Sequence, residues 1–334
     1  ARTERRHVTN LAAPDDTGHS DLEAGFERHR VDLTGYCYRM LGSAFEADDA
    51  VQETMVRAWR GFTRFEGRAS LRSWLYRIAT NVCLDMLHGR GRRALPMDLG
   101  PSSSGDRAED PPAEVRWLQP VPDRRVVAAD ADPAEAATAR ETIRLAFVAA
   151  LQHLPARQRA VLILRDVLGW QATEVAELLG TTATSVHSAL QRARVRLAAR
   201  DLGAPPAPMD AEHQALLARY VDAFERYDIE MLVSLLHEDA TMSMPPLPHW
   251  MHGPAAIARW WHGPGRACRG SRLVRTRANG SPAFGLYRPS SAVPGRESFG
   301  IQVVELSSGR IRGIHTFREP RLFPFFELPA LPVQ

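Results

Sequence analysis

The stretch GTTATSVHSALQRARVRL, numbered 180–197, decides how the rest of the chain is read. Val186, Leu190, Ala193 and Leu197 recur at intervals of four, three and four, which places them on one buried face of a helix. Thr182, Thr184, Ser185, His187, Ser188, Gln191 and Arg192 fall elsewhere on that helix, followed by Arg194 and Arg196. No acidic side chain occurs between Thr181 and Arg200. Thr181 or Thr182 is placed to cap the N-terminus. Immediately upstream, ATEVAELLG carries a short apolar stripe that ends at Gly180. Before it, LPARQRAVLILRDVLGW reads as a helix opened by Pro155 and closed near Gly169. Two short helices joined by a tight glycine turn form a helix-turn-helix, whose second helix enters the major groove. Small hydroxyl residues at its start allow close approach to the bases, while Gln191 and Arg192 supply longer donors. A helix with a merely solvated polar face would show the same pattern, but the helices preceding it in register argue for DNA.

Charge is segregated along the chain. The net charge is only +3, and all 42 basic side chains are Arg. Residues 57–93 hold nine Arg against Glu66 and Asp85, and residues 140–200 hold nine Arg against four acids. Between them, residues 98–135 hold nine acids against four Arg. Two basic helical blocks flanking an acidic tether point to a polyanionic partner. The expected organisation is a disordered lead over 1–19, a helical block over 20–93 and a Pro/Ser-rich linker over 94–133. A second helical block at 134–201, a hinge at 202–210 and a last block at 211–334 follow. Cys37, Cys83 and Cys268 are scattered and odd in number, which suits reduced thiols in a cytoplasmic protein. Neither a metal site nor a cofactor is implied, and no apolar run is long enough to span a bilayer.

In the first block, Asp48, Asp49, Gln52 and Glu53 share one helical face, opposite an apolar stripe of Val51, Met55 and Trp59. An acidic face inside a basic block suits a basic protein surface, although acids near a helix start also suit its dipole. FEGRASLRSWLYRIATNVCLDMLHGRGRR follows, with Leu75, Ile78, Val82 and Met86 as its buried stripe. Arg68, Trp74, Arg77, Asn81, Arg90, Arg92 and Arg93 offer an aromatic, an amide and cations, the set that holds single-stranded DNA.

These residues resemble bacterial RNA polymerase sigma factors of the extracytoplasmic-function type. DDAVQETMVRAWRGF is similar to the segment that docks on the polymerase clamp helices. FEGRASLRSWLYRIATNVCLDMLHGRGRR, numbered 65–93, resembles the element that melts and reads the minus-ten motif, and the stretch from LPARQRAVLILRDVLGW to the opening helix, 154–197, resembles the minus-thirty-five reader. The resemblance implies core RNA polymerase and promoter DNA, duplex and melted, as partners. It assigns Asp48, Asp49, Gln52 and Glu53 to polymerase, Asn81 and its neighbours to the minus-ten motif, and Ser185, His187, Ser188, Gln191 and Arg192 to the minus-thirty-five motif. Many relatives carry Lys where this chain has His187.

The last block begins helical and turns strand-like, with FGIQVVELSSGRIRGIHTF alternating as two strands around Ser308-Gly309. Its pattern resembles the SnoaL-like polyketide-cyclase group, a cone-shaped α+β fold. The expected architecture is therefore multidomain: two all-α modules, the second a helix-turn-helix, and a C-terminal α+β cone. Asp239, Met242, Trp250, Trp261 and His315 are the candidate pocket residues, although turn capping and core packing account for them nearly as well. No spacing fixes an acid–base pair, so no catalytic residue is assigned. A regulatory domain docked on the helical modules or the tether is preferred over an enzyme acting on a small hydrophobic metabolite. A stand-alone DNA-binding repressor is the remaining alternative.

Overall fold

The computed structural model describes residues 16–65, 67, 70–106, 110, 112, 114–200, 202, 209–290 and 295–330. Helix α1 (Asp16–Leu41) starts inside the stretch expected to be a disordered lead, and the rest of that lead, 1–15, lies outside the described residues. Helix α2 (Ala44–Gly61) opens at Ser43, whose hydroxyl accepts from the Glu46 amide, and α3 (Leu71–Leu87) opens at Ser70 in the same way. The three helices close around Leu33, Tyr36, Val51, Leu75 and Val82, all essentially without exposure. Trp59 departs from its expected stripe: it is 41% exposed, whereas Val51 is buried.

The linker is far more ordered than its Pro and Ser content suggests. Arg93–Ala94 (β1) pairs in parallel with Arg116–Trp117 (β2). Leu95, Leu118, Val121 and Val126 are buried, so the segment packs as a wedge between modules. Apolar side chains spaced between prolines can still fill a core if neighbouring domains supply the other wall.

The second module comprises α4 (Pro133–Thr142), α5 (Leu145–Gln152) and α6 (Ala156–Leu162), the last running on as a π-helical turn, Ile163–Val167. Helices α7 (Ala172–Leu179) and α8 (Ala183–Ala198) complete it. Gly180 takes the left-handed conformation (φ 61°) that ends α7, and Thr182 caps α8 by accepting from the Ser185 amide at 3.2 Å. Val186, Leu190 and Ala193 are buried as the spacing requires.

The last module starts with α9 (Ala211–Arg226) and α10 (Ile229–Ser234). Strands β3 (Leu236–Ser243) and β4 (Trp250–His252) precede α11 (Pro254–His262). Strands β5 (Arg272–Ala278), β6 (Ser281–Pro289), β7 (Arg296–Ser307) and β8 (Arg310–Phe317) follow, and a short α12 (Leu322–Phe325) ends the described fold. The six-stranded order is β4-β3-β8-β7-β6-β5, antiparallel except for β3 beside β8. Two hairpins turn on residue pairs with positive φ, Ser308-Gly309 (52° and 68°) and Asn279-Gly280 (54° and 73°).

The sheet has two occupied faces. Its concave side closes on Tyr220, Phe224, Trp260 and Trp261 to form the cone's own core. On the other side Tyr287, Ile301, Val303 and Phe317 join one continuous core with the helical modules, together with Phe323 and Phe326 of the tail. The linker also reaches both sheet edges, through Ser103 to β4 and Pro122 to β5. Each edge strand is thereby met by the linker at one point.

Candidate nucleic-acid and polymerase interface

Helix α8 presents its polar face to solvent. Thr182, Thr184, Ser185, His187, Ser188, Gln191, Arg192, Arg194 and Arg196 are all exposed. Arg194 grips Asp166 with two hydrogen bonds of 2.9 and 2.7 Å, and Arg196 donates to Gln158 at 3.3 Å. These two arginines anchor α8 to α6 and its π turn, leaving the N-terminal half of α8 to meet a ligand. In a helix-turn-helix the N-terminal residues of the second helix are the ones that contact base edges, and that end of α8 is open.

The corresponding face of α3 is partly covered. Trp74 sits half-buried against Phe65 and Phe62, with ring centroids 4.9 and 6.3 Å away. Arg77 pairs with Glu177 of α7 at 3.2 Å, and Tyr76 meets Trp170 of the second module at 5.2 Å between centroids. Arg72 lies over both of those rings. Asn81 is exposed beside a cavity of about 450 Å³ whose other wall is Ala156 and Arg157 of α6. Arg68 lies outside the described residues.

The cations that follow α3 are engaged within the chain. Arg93 is 9% exposed, paired with Glu46 at 2.9 Å and donating to the Trp117 carbonyl at 2.6 Å. Arg90 and Arg116 reach the same Glu46 at 3.2 and 2.6 Å. Burial works to raise the Glu46 carboxyl, but Arg93 and Arg116 hold it below its ordinary value. Arg92 contacts His153 at 2.9 Å and Asp98 at 3.5 Å. Sequence spacing reads these arginines as a free cluster; their partners come from α2, the linker and α5.

On α2, Asp49 and Gln52 are exposed, and Glu53 pairs with Arg57 at 2.7 Å. Asp48 accepts from Gln52 and is pinned by the linker's Arg125 at 2.7 Å. Burial, then the neighbouring Asp48 and Glu46, raise the Asp49 carboxyl above its ordinary value. The Arg125 guanidinium also lies over Phe325 of the tail, whose ring meets Phe45 edge-on at 4.8 Å. Linker and tail thus lie across one side of the acidic face.

Behind these surfaces lies a joint that sequence patterning did not reveal. Asn279, fully buried in the β5–β6 turn, donates to the Tyr38 hydroxyl at 2.7 Å and the Ile143 carbonyl at 2.6 Å. Its side-chain oxygen accepts from the Val121 amide at 3.0 Å. Next to it, the Gly280 amide donates to Asp123 at 2.8 Å, and Arg277 pairs with Asp123 at 3.1 Å. One turn therefore bonds to the first module, the linker and the second module together. A Cβ on Gly280 would lie 2.7 Å from the Arg140 carbonyl oxygen, so only glycine fits there. Two more buried cations tie the helical modules: Arg39 to Thr142 and the Ala139 carbonyl, Arg159 to the Met40 carbonyl and Gln152. Burial pulls both guanidiniums down to about 10, which leaves them charged at neutral pH.

The five candidate pocket residues are not brought together. Met242 and Trp261 are buried in the cone's core, at 3% exposure each. There only about 20 Å³ remains open, room for about one water. Asp239, Trp250 and His315 lie on the opposite side, lining a cavity of about 370 Å³ between the sheet and the second module. His315 shares a 2.9 Å hydrogen bond with Ser243 and lies 3.8 Å from Glu305. Ser243 has no exposure, so this Ser–His–Glu arrangement offers no accessible nucleophile. Among the described residues no cluster of metal ligands occurs, and no helix is long and apolar enough to cross a membrane.

Comparison with known proteins agrees with this division. Residues 26–93 match Sigma-70 region 2, residues 144–197 match Sigma-70 region 4, and residues 217–314 match the SnoaL-like domain. The ECF RNA polymerase sigma factor SigG of Mycobacterium tuberculosis is 46% identical over 327 residues, covering 95% of this chain and 86% of SigG. SigM of the same species is 32% identical over 197 residues, 59% of this chain and 85% of SigM. The crystal structure of M. tuberculosis extracytoplasmic function sigma factor SigJ has the same fold, with TM-score 0.60 at 22% identity, covering 92% of this chain and 99% of that one.

Proposed function

The chain belongs to the extracytoplasmic-function RNA polymerase sigma factors, and we propose that its SnoaL-like domain regulates it by clasping the two DNA-reading modules together. The sigma factor binds core RNA polymerase and directs transcription from specific promoters. In this reading α2 meets polymerase through Asp48, Asp49, Gln52 and Glu53. Helix α3 holds melted minus-ten DNA with Trp74, Arg77 and Asn81, and α8 reads minus-thirty-five bases from Thr184 to Arg192. The observation that carries the regulatory part is the buried Asn279 side chain, bonded at once to both modules and the linker.

In the clasped state the minus-thirty-five face is open, whereas the minus-ten face shares Arg77 with Glu177 and sits close under α7. Arg125 and Phe325 cover part of the acidic face. Polymerase and promoter then compete with the chain's own contacts. An exposed pair such as Arg77–Glu177 contributes only about 0–1 kcal/mol, so the surface contacts yield easily and the buried joint sets the threshold. A regulatory domain is favoured over an enzyme because the cone's interior is filled and Ser243 is inaccessible.

Energetics makes polymerase indispensable. Opening duplex costs about 1.4 kcal/mol per base-pair step, and stacking a base on an aromatic returns about 1–3 kcal/mol. Trp74 and its two neighbouring rings can hold a base or two, not a bubble. The expected permanganate footprint on a promoter shows no reactive thymines with the free chain and a reactive patch with core polymerase added. A bubble formed by the chain alone would overturn this reading.

A further inference from the structure

The 370 Å³ cavity between the sheet and the second module has the makings of a ligand site. Two guanidiniums line it from opposite domains, Arg144 at the start of α5 and Arg312 on β8. Both are half-buried, and among the described residues neither has a hydrogen bond or ion pair to a protein group. Leu145 and Ala146, in the first turn of α5, share the same wall, and no side chain caps that turn. Guanidiniums with no hydrogen-bonded partner, beside an uncapped helix start, favour an anion.

Glu305 narrows the choice. Burial works to raise its carboxyl, but His315, Arg144 and Arg312 hold it below its ordinary value, so it stands ionised beside the anion seat. A bare anion would be repelled by it. An anion with a hydrogen-bond donor on the neighbouring atom would satisfy Glu305 and the guanidiniums together. The remaining wall mixes apolar side chains, Trp250, Leu306 and Ala149 among them, with the charged or polar Asp98, His153, Arg200 and Asp239. The volume lies at the small end of the range for ligand pockets, about 300–1,000 Å³.

We propose that this cavity binds a small organic acid bearing a hydroxyl or ammonium group next to its carboxylate and a compact apolar body. The carboxylate bridges Arg144 and Arg312, the donor meets Glu305, and the apolar body lies against Trp250 and Leu306. Because Arg144 and Arg312 belong to different domains, the occupant braces the closed arrangement. The site lies on the face of the sheet opposite the cone's filled interior. Binding is read on the free chain, so its outcome is independent of the polymerase and promoter roles.

The test is calorimetric titration of the full chain with L-phenyllactate, L-phenylalanine and 3-phenylpropionate, the last lacking the donor. The expected result is saturable binding of phenyllactate or phenylalanine, with 3-phenylpropionate about tenfold weaker, as losing one hydrogen bond to a charged group implies. Arg312→Gln and Arg144→Gln should each weaken the better ligand about tenfold or more. Among the described residues neither guanidinium has a hydrogen bond to lose, but each helps to hold Glu305 ionised, so thermal unfolding of each variant without ligand verifies its fold. The absence of saturable binding by both donor-bearing acids would overturn the proposal. So would equal binding of 3-phenylpropionate, or unchanged affinity in both folded variants.

Discussion

Changing Asn279 to leucine is expected to open the molecule while leaving each module folded. Leucine keeps the bulk but removes every side-chain hydrogen bond, stranding the Val121 amide and the Ile143 carbonyl at a buried joint; only the backbone bond from residue 279 to the Val121 carbonyl remains. Each unsatisfied group costs about 1–3 kcal/mol. Residue 279 also has φ 54°, a left-handed conformation that asparagine tolerates and leucine resists by about 1–2 kcal/mol. The cost of the unsatisfied groups, about 2–6 kcal/mol together, falls on the docking of the modules because their partners lie in the linker and the second module, while the backbone cost falls on the hairpin turn itself. Small-angle scattering should show a larger radius of gyration with unchanged helical circular dichroism. Transcription from a matched promoter at limiting polymerase should rise. An unaltered radius would mean that the joint does not hold the closed state.

The second large effect concerns polymerase. Reversing Asp48 and Asp49 together to arginine should abolish co-purification with core polymerase at modest salt. Truncating one partner of a buried charge pair at an interface costs about 2–5 kcal/mol, and reversal adds repulsion. A loss of about 30-fold to several-thousandfold in affinity follows from that range. The companion variant Arg125→Ala should act in the opposite direction, since it frees Asp48 and removes the cation lying over Phe325. Retained co-purification in the double reversal would remove α2 from the polymerase interface.

Local structure was legible where a residue's role depends on near neighbours. The spacing of Val186, Leu190 and Ala193, the cap at Thr182 and the stop at Gly180 all follow from helix chemistry within a few residues. So does the turn at Ser308-Gly309. Asn279-Gly280 carries the same hairpin signal, since Asn-Gly favours paired positive φ angles, and it lies between two strand-like runs. What no local pattern conveys is that this turn's side chain bonds to Tyr38, 241 residues away in sequence. In the linker, Trp117 and Leu118 between prolines are legible as residues able to dock on another domain, and Leu118 is buried; that Val121 is buried with it depends on partners distant along the chain.

The candidate pocket residues divide between the two faces of the sheet. Asp239 and Met242 are three apart on one strand, and side chains alternate, so they point to opposite faces. Arg90, Arg92 and Arg93 illustrate the limit of counting charge. A basic cluster beside α3 looks free in sequence, yet Glu46 gathers two of its members and Arg116 as well.

Whether polymerase separates α3 from α7 decides most directly whether the clasp exists. Dyes on Thr63→Cys and Thr173→Cys, in a Cys268→Ala background, would report that separation by energy transfer. Cys37 and Cys83 have no exposure and will not label. Transfer should be high in the free chain and fall on titration with core polymerase. It should start low in Asn279→Leu. High transfer that persists in the polymerase-bound chain would contradict the clasp.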